Sequence, residues 1–184
     1  MKKILILGSS NTDMTVKTPT LPAPGETVLG GVFTMSAGGK GANQAVAAKR
    51  VGGDVSFICK VGNDVFGDNS IKHYEAEGID VSGIIRSDKP SGVALITVDN
   101  DAENCIVVAS GANLDFTDAD IKASEEALRS CDVLLMQLEI PVPAVLQAAR
   151  IAHEAGAFVV LNPAPYAELP EEIFKYISLF IPNE

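Results

Sequence analysis

The sequence predicts a doubly wound α/β fold: a largely parallel sheet with helices on both faces, and a small β-sheet lid projecting from it. Three observations predict it. Apolar runs rich in Val, Ile and Leu at 4–7, 55–61, 133–138, 158–161 and 179–181 read as strands buried on both sides. Segments 42–51, 69–77, 118–129 and 142–154 carry helical spacing and alternate with those runs, as crossover connections between parallel strands require. Two segments break the alternation. Segment 14–33 has three prolines and no helical period, and segment 92–110 holds two β-like runs around Asp99-Asn100-Asp101. The predicted division is therefore a core of 1–13, 34–91 and 111–184, with 14–33 and 92–110 as the lid.

The elements can be justified in order. The run at 4–7 is short and wholly apolar, and it leads into Gly8-Ser9-Ser10-Asn11-Thr12-Asp13. An alanine-rich helix follows the glycine cluster at 38–41. Asp118 is placed to cap the 118–129 helix, and Gly156 to stop the 142–154 helix. At 47% apolar and 21% charged residues, the 184-residue chain is ordinary for a globular protein with one sizeable core.

Composition also narrows the function. A net charge of −10, with Lys and Arg scattered, argues against nucleic-acid binding. After Met1-Lys2-Lys3 only five apolar or glycine residues precede Ser9, too few for a signal segment or a membrane span, so a cytoplasmic protein is expected. Cys59, Cys105 and Cys131 are odd in number and far apart, and read as reduced, mostly buried thiols. His73 and His153 are too isolated to suggest zinc.

The residues that could carry chemistry converge on one edge. In Ala37-Gly38-Gly39-Lys40-Gly41-Ala42-Asn43-Gln44-Ala45, glycines allow close backbone approach, and the first turn of the following helix is expected to offer unpaired N–H groups to a small ligand. The alternative is a glycine turn that merely enters a helix. The spacing fits neither a phosphate-binding P-loop nor a dinucleotide fingerprint. Asn11 and Asp13 lie just beyond the first strand, where open α/β sheets bind ligands, and alternation puts them on one side; a carboxylate and an amide there suit neighbouring hydroxyls of a polyol, while a strand-ending Asx turn is the alternative. Glu139, Asn162 and Asn183 follow later strands on that edge.

Taken together, Asn11-Thr12-Asp13, Pro24-Gly25-Glu26-Thr27, Gly38-Gly39-Lys40-Gly41-Ala42-Asn43-Gln44-Ala45, Gly62-Asn63-Asp64 with Gly67, Met136-Gln137-Leu138-Glu139, Asn162-Pro163-Ala164-Pro165 and Pro182-Asn183-Glu184 resemble, in order and along the whole chain, the ribokinase family of carbohydrate kinases. The resemblance implies ATP-dependent phosphorylation of the 5-hydroxyl of D-ribose, with Mg2+ and a monovalent cation, K+, assisting. It implies sugar contacts at Asn11, Thr12, Asp13, Gly39, Lys40, Gly41, Ala42, Asn43 and Glu139, and a nucleotide contact at Asn183. The family's catalytic base and anion hole lie in a Gly-Ala-Gly-Asp segment that has no counterpart in 1–184, so no catalytic residue is expected here and the 184 residues alone are expected to be inactive. A homodimer through the lid is also expected, because an apolar lid face has nothing of its own to pack against. Two alternatives stay open: a kinase for another sugar or nucleoside, such as fructose or adenosine, and a catalytically silent sugar-binding or dimerisation module.

Overall fold

The computed structural model describes residues 2–183; Met1 and Glu184, the outer ends of the predicted core segments, lie outside the described residues. In chain order the strands are β1 (Lys3–Leu7), β2 (Asn11–Lys17), β3 (Val32–Gly38), β4 (Asp54–Ile58), β5 (Lys60–Gly62), β6 (Ile85–Ser87), β7 (Gly92–Val98), β8 (Asn104–Ala109), β9 (Val133–Met136), β10 (Phe158–Leu161) and β11 (Leu179–Phe180). The helices are α1 (Lys40–Arg50), α2 (Val65–Ala76), α3 (Asp118–Ala123), α4 (Glu125–Ser130) and α5 (Val142–Glu154).

The central sheet has the order β11-β10-β9-β1-β4 and is parallel throughout. The two-residue period of a strand sorts β1 to its two faces. Leu5 and Leu7 join Leu134, Met136 and Leu161 under Ile121, Leu128, Val145 and Ala148, while Ile6 joins Val55 and Phe57 under Ala42, Ala45 and Tyr74. Both faces are thus covered around β1 and β9, which is why their interior positions are apolar without interruption. Among the described residues no helix is long and apolar enough to cross a membrane.

The second sheet has the order β3-β2-β7-β8, with β2 and β7 parallel and the outer pairs antiparallel. Its strands run beyond the predicted 14–33 segment at both ends, because the ladder pairs Asn11 with Gly38 and with Gly92. Asn11 and Asp13 therefore belong to the small sheet itself rather than to a loop at the end of β1. Periodicity did not reveal this, since polar β-branched and small residues extend a strand without any apolar signal.

Other expectations are corrected in the same way. The run at 55–61 is two strands: β4 is an edge of the central sheet, and β5 pairs with β6 in a separate two-stranded ladder. All of 57–61, Lys60 included, is buried, so burial does not mark the break between the two strands at Cys59. The predicted 118–129 helix divides at Ser124 into α3 and α4, and its cap is Thr117, not Asp118: Thr117 Oγ1 accepts from the Asp120 N–H while Asp120 accepts from the Thr117 N–H, a reciprocal capping box. Helix α2 begins at Val65, capped by Asp64, which accepts from the Gly67 N–H (2.9 Å) and from the Ser91 N–H (2.8 Å) and hydroxyl (2.7 Å), tying α2 to the start of β7. Of the cysteines, Cys59 is buried, Cys131 half-buried and Cys105 exposed on the small sheet, against the expectation of mostly buried thiols.

Candidate functional site

The site grows out of the crossing from β1 to β2. Ser9, fully buried, faces the start of α1: its carbonyl accepts from the Ala42 N–H (2.9 Å), and its hydroxyl accepts from the Gly41 N–H (3.2 Å) and donates to the Glu139 carboxylate. Glu139 also accepts from the Lys40 N–H (2.9 Å), while the Asn43 N–H bonds the Gly39 carbonyl (2.9 Å). The first-turn N–H groups expected to be open to a ligand are therefore all paired within the protein. A carboxylate at a helix N-terminus is favoured both by the orphan donors and by the helix dipole, and Glu139 takes that place. The helix start thus presents a carboxylate held by the Lys40 N–H rather than open donors.

Close approach explains the glycines. Gly39 has φ +91°, and a Cβ there would crowd the Asn11 N–H, the Ser9 carbonyl and the Ser10 Cα. Gly41 and Ala42 are buried, Gly41 against the backbone of Gly8 and Ser9 and Ala42 in the cluster with Ile6 and Phe57. These two pack α1 on β1 rather than open to a ligand as expected.

Asp13 lies across the Cα of Gly38, half-buried. Desolvation, and after it the negative charge of Glu139, raise its pKa above the ordinary carboxylate value. Asp13 and Glu139 are thus near enough for the charge of one to act on the other. Asn11, also buried, is on the same sheet face as Asp13, and its Oδ1 accepts from Asn113 Nδ2 (2.6 Å). Thr12 is on the opposite face, where it lines a cavity of about 240 Å3 with Met35, Ala37, Phe66, Asn69 and His73; the two-residue period separates it from its neighbours. Asn43 is exposed and lines a cavity of about 470 Å3 between α1 and α2 with Tyr74 and Arg50.

Lys40 and Asn183 line one cleft of about 930 Å3, walled by Pro163, Tyr166, Phe174 and Phe180. Loops after three neighbouring strands are laced together beside it: the Leu138 N–H donates to the Ala164 carbonyl (3.1 Å), the Asn162 N–H to the Met136 carbonyl (2.9 Å), and Asn162 Nδ2 to the Ile181 carbonyl (2.9 Å). The carboxyl edge of the sheet is one continuous surface running from Glu139 and Lys40 to Asn183. Among the described residues no group of three His, Cys, Asp or Glu could hold a metal ion.

The model of the pfkB family of carbohydrate kinases matches residues 1–184. The chain belongs to that family. Within it, the chain is 44% identical to the bifunctional ribokinase/ribose-5-phosphate isomerase A of Fructilactobacillus sanfranciscensis, over 100% of this chain and 34% of that protein. It is 43% identical to the ribokinase of Haemophilus influenzae, over 100% of this chain and 60% of that one. The structure of Arabidopsis thaliana ribokinase complexed with ribose and ATP superposes with a TM-score of 0.88 at 28% identity, covering 100% of this chain and 61% of that one. The chain therefore spans about three fifths, or in the bifunctional case one third, of these relatives.

Three residues of this pfkB-family site escaped the sequence reading: Ser9, Ser10 and Asn113. Ser9 and Ser10 stand between two motif residues, Gly8 and Asn11, and only that position could have singled them out. Asn113 follows the small sheet by a short 3-10 turn and carries no local signal.

Proposed function

We propose that the protein to which these residues belong phosphorylates D-ribose to ribose 5-phosphate with ATP. The observation that carries the reading is one edge with two ends. At one end Asp13 and Glu139 bring acceptors for sugar hydroxyls to the start of α1; at the other Asn183 faces a cleft that Lys40 shares. Phosphoryl transfer asks a protein mainly for positioning and charge stabilisation, and the described residues supply the sugar's positioning. Asn11, Asp13, Lys40 and Glu139 hold the ribose, Gly39 lets the backbone come close, and Asn183 meets the nucleotide, while Asn43 lines the separate cavity between α1 and α2. Within 1–184 the proposal assigns no catalytic base and no anion hole.

Mg2+ and a monovalent cation, K+, belong to the proposal through the sequence resemblance. Among the described residues no group of three His, Cys, Asp or Glu stands ready for either ion. The proposed compartment is the cytoplasm, where ATP is available.

The small sheet is proposed as a lid over the sugar and as the dimer contact. By register, Val16, Phe33, Met35, Leu95 and Val107 share its face opposite Asp13, and all are exposed, up to 67% for Val107. An apolar face of this breadth on a sheet marks a contact surface, and a second copy supplies a matching one. Light scattering at micromolar concentration is expected to give twice the chain mass.

A coupled ADP-release assay on the full-length protein tests the activity. Ribose is expected to be the best acceptor among ribose, fructose and adenosine. Faster turnover of either rival overturns the choice of sugar. Ribose binding without turnover leaves the silent sugar-binding reading in its place.

A further inference from the structure

We infer that Asn113 is a positioning residue that holds the Asn11 side-chain amide with its nitrogen, a hydrogen-bond donor, turned to the sugar; the inference rests on the sugar site proposed above. Asn113 sits in the 3-10 turn Gly111–Leu114 directly after β8 and is 1% exposed. The Ser10 N–H donates to Asn113 Oδ1 (2.9 Å), and Asn113 Nδ2 donates to the Ser10 carbonyl (3.2 Å) and to Asn11 Oδ1 (2.6 Å).

The orientation of both amides follows from the backbone. An N–H only donates and a carbonyl only accepts, so the two bonds to Ser10 admit one orientation of the Asn113 amide. Its nitrogen then faces Asn11, which must answer with oxygen. Asn11 Nδ2 makes no hydrogen bond among the described residues, so it is the half left for a ligand. The sequence alone allows this amide to donate or accept; the clamp removes the second choice. The site then sets one donor beside the acceptors Asp13 and Glu139, a polarity suited to neighbouring hydroxyls of which one accepts and another donates.

The clamp also sits where the small sheet joins the core. Ser10 leads into β2, Gly92 begins β7 and Asn113 follows β8. A Cβ at Gly92 would collide with both Asn11 Oδ1 and Asn113 Nδ2, so only glycine at 92 lets the two amides meet. Asn113 is thereby tied to the crossing points of three of the small sheet's strands.

The test is a double-mutant cycle read by ribose titration calorimetry on the full-length protein, with ATP affinity as the control. Asn11→Ala and Asn113→Ala are each expected to weaken ribose about 10-fold, the scale of one hydrogen bond in a buried site. If Asn113 acts through Asn11, the double variant binds no more weakly than Asn11→Ala, within about twofold. Losses that multiply, to about 100-fold, would mean that Asn113 acts independently, and the inference is overturned. Asn113→Asp keeps the acceptor for the Ser10 N–H but loses the donor, so it serves in both backgrounds should Asn113→Ala not fold; full ribose affinity in Asn113→Asp also overturns the inference. If Asn11→Ala leaves ribose affinity intact, the sugar-site reading fails first and takes the inference with it.

Discussion

In the central sheet, β1 sends Leu5 and Leu7 into one closed cluster and Ile6 into another, and Leu7, Phe57 and Leu134 are fully buried. In the small sheet Phe33, Met35, Leu95 and Val107 are equally apolar, yet each is at least half exposed. Similar strand chemistry thus has two outcomes, decided by whether helices cover the face. The candidate site lies on the seam, where Ser9 and Ser10 carry the chain from one sheet to the other. The covered sheet holds α1 and Glu139 in place, and the uncovered one presents Asn11 and Asp13 to them. A site built this way combines a rigid wall with one that is free to be covered by something else.

The largest expected effect breaks the comparison most directly. Phe57→Ala removes a ring that packs edge-on against Tyr74, with centroids 5.2 Å apart, in a fully buried position. It should cost about 3–5 kcal/mol of unfolding free energy in urea denaturation. Phe33→Ser, at a position 58% exposed, should stay within about 0.5 kcal/mol at concentrations low enough to keep the chain monomeric. A loss at Phe33 as large as that at Phe57 in the monomer would show that the small sheet has a core of its own.

The next effect is on binding. Asp13→Ala should weaken ribose about 10- to 100-fold, since a hydrogen bond to a charged group is worth about 1.5–3 kcal/mol, and calorimetry reads this directly. Unchanged affinity in a folded variant would remove Asp13 from the site.

A smaller effect sharpens what anchors the covered sheet. Thr117→Ala breaks the capping box of α3 and should cost about 1 kcal/mol in the same denaturation assay, with ribose affinity unchanged. A change in ribose affinity would mean that α3 reaches the seam.

The smallest effect concerns pH. Burial and the charge of Glu139 raise the Asp13 pKa, so the folded protein binds this proton more tightly than the unfolded chain. Ionising Asp13 therefore costs stability as pH rises from the ordinary 3.8 through the raised value. Asp13→Asn should melt slightly higher than the parent at pH 7, and the gap should close as pH falls below 3.8, where the carboxyl becomes protonated in both states. A variant less stable than the parent at pH 7 would contradict the picture of a crowded, desolvated carboxylate. The same titration should weaken ribose binding toward acid pH, since a protonated Asp13 loses acceptor capacity.

By itself the sequence determined the parallel core, because strands covered on both faces must be apolar at nearly every position, and the runs at 4–7, 133–136 and 158–161 are. It also placed Asn11 and Asp13 on one side through the period of two. The tertiary structure alone decided the rest. That β4 and β5 part at Cys59 depends on which neighbour each strand finds, since residues 57–61 are buried on both sides of the break. That the first turn of α1 is closed depends on Glu139, which bonds Lys40 across 99 positions, and the orientation of Asn11 depends on Asn113, 102 positions away. Hydrophobic pattern is a local property of the chain and survives without neighbours. A hydrogen bond between distant side chains exists only once the loops have been threaded, and those bonds set which atoms of this site face a ligand.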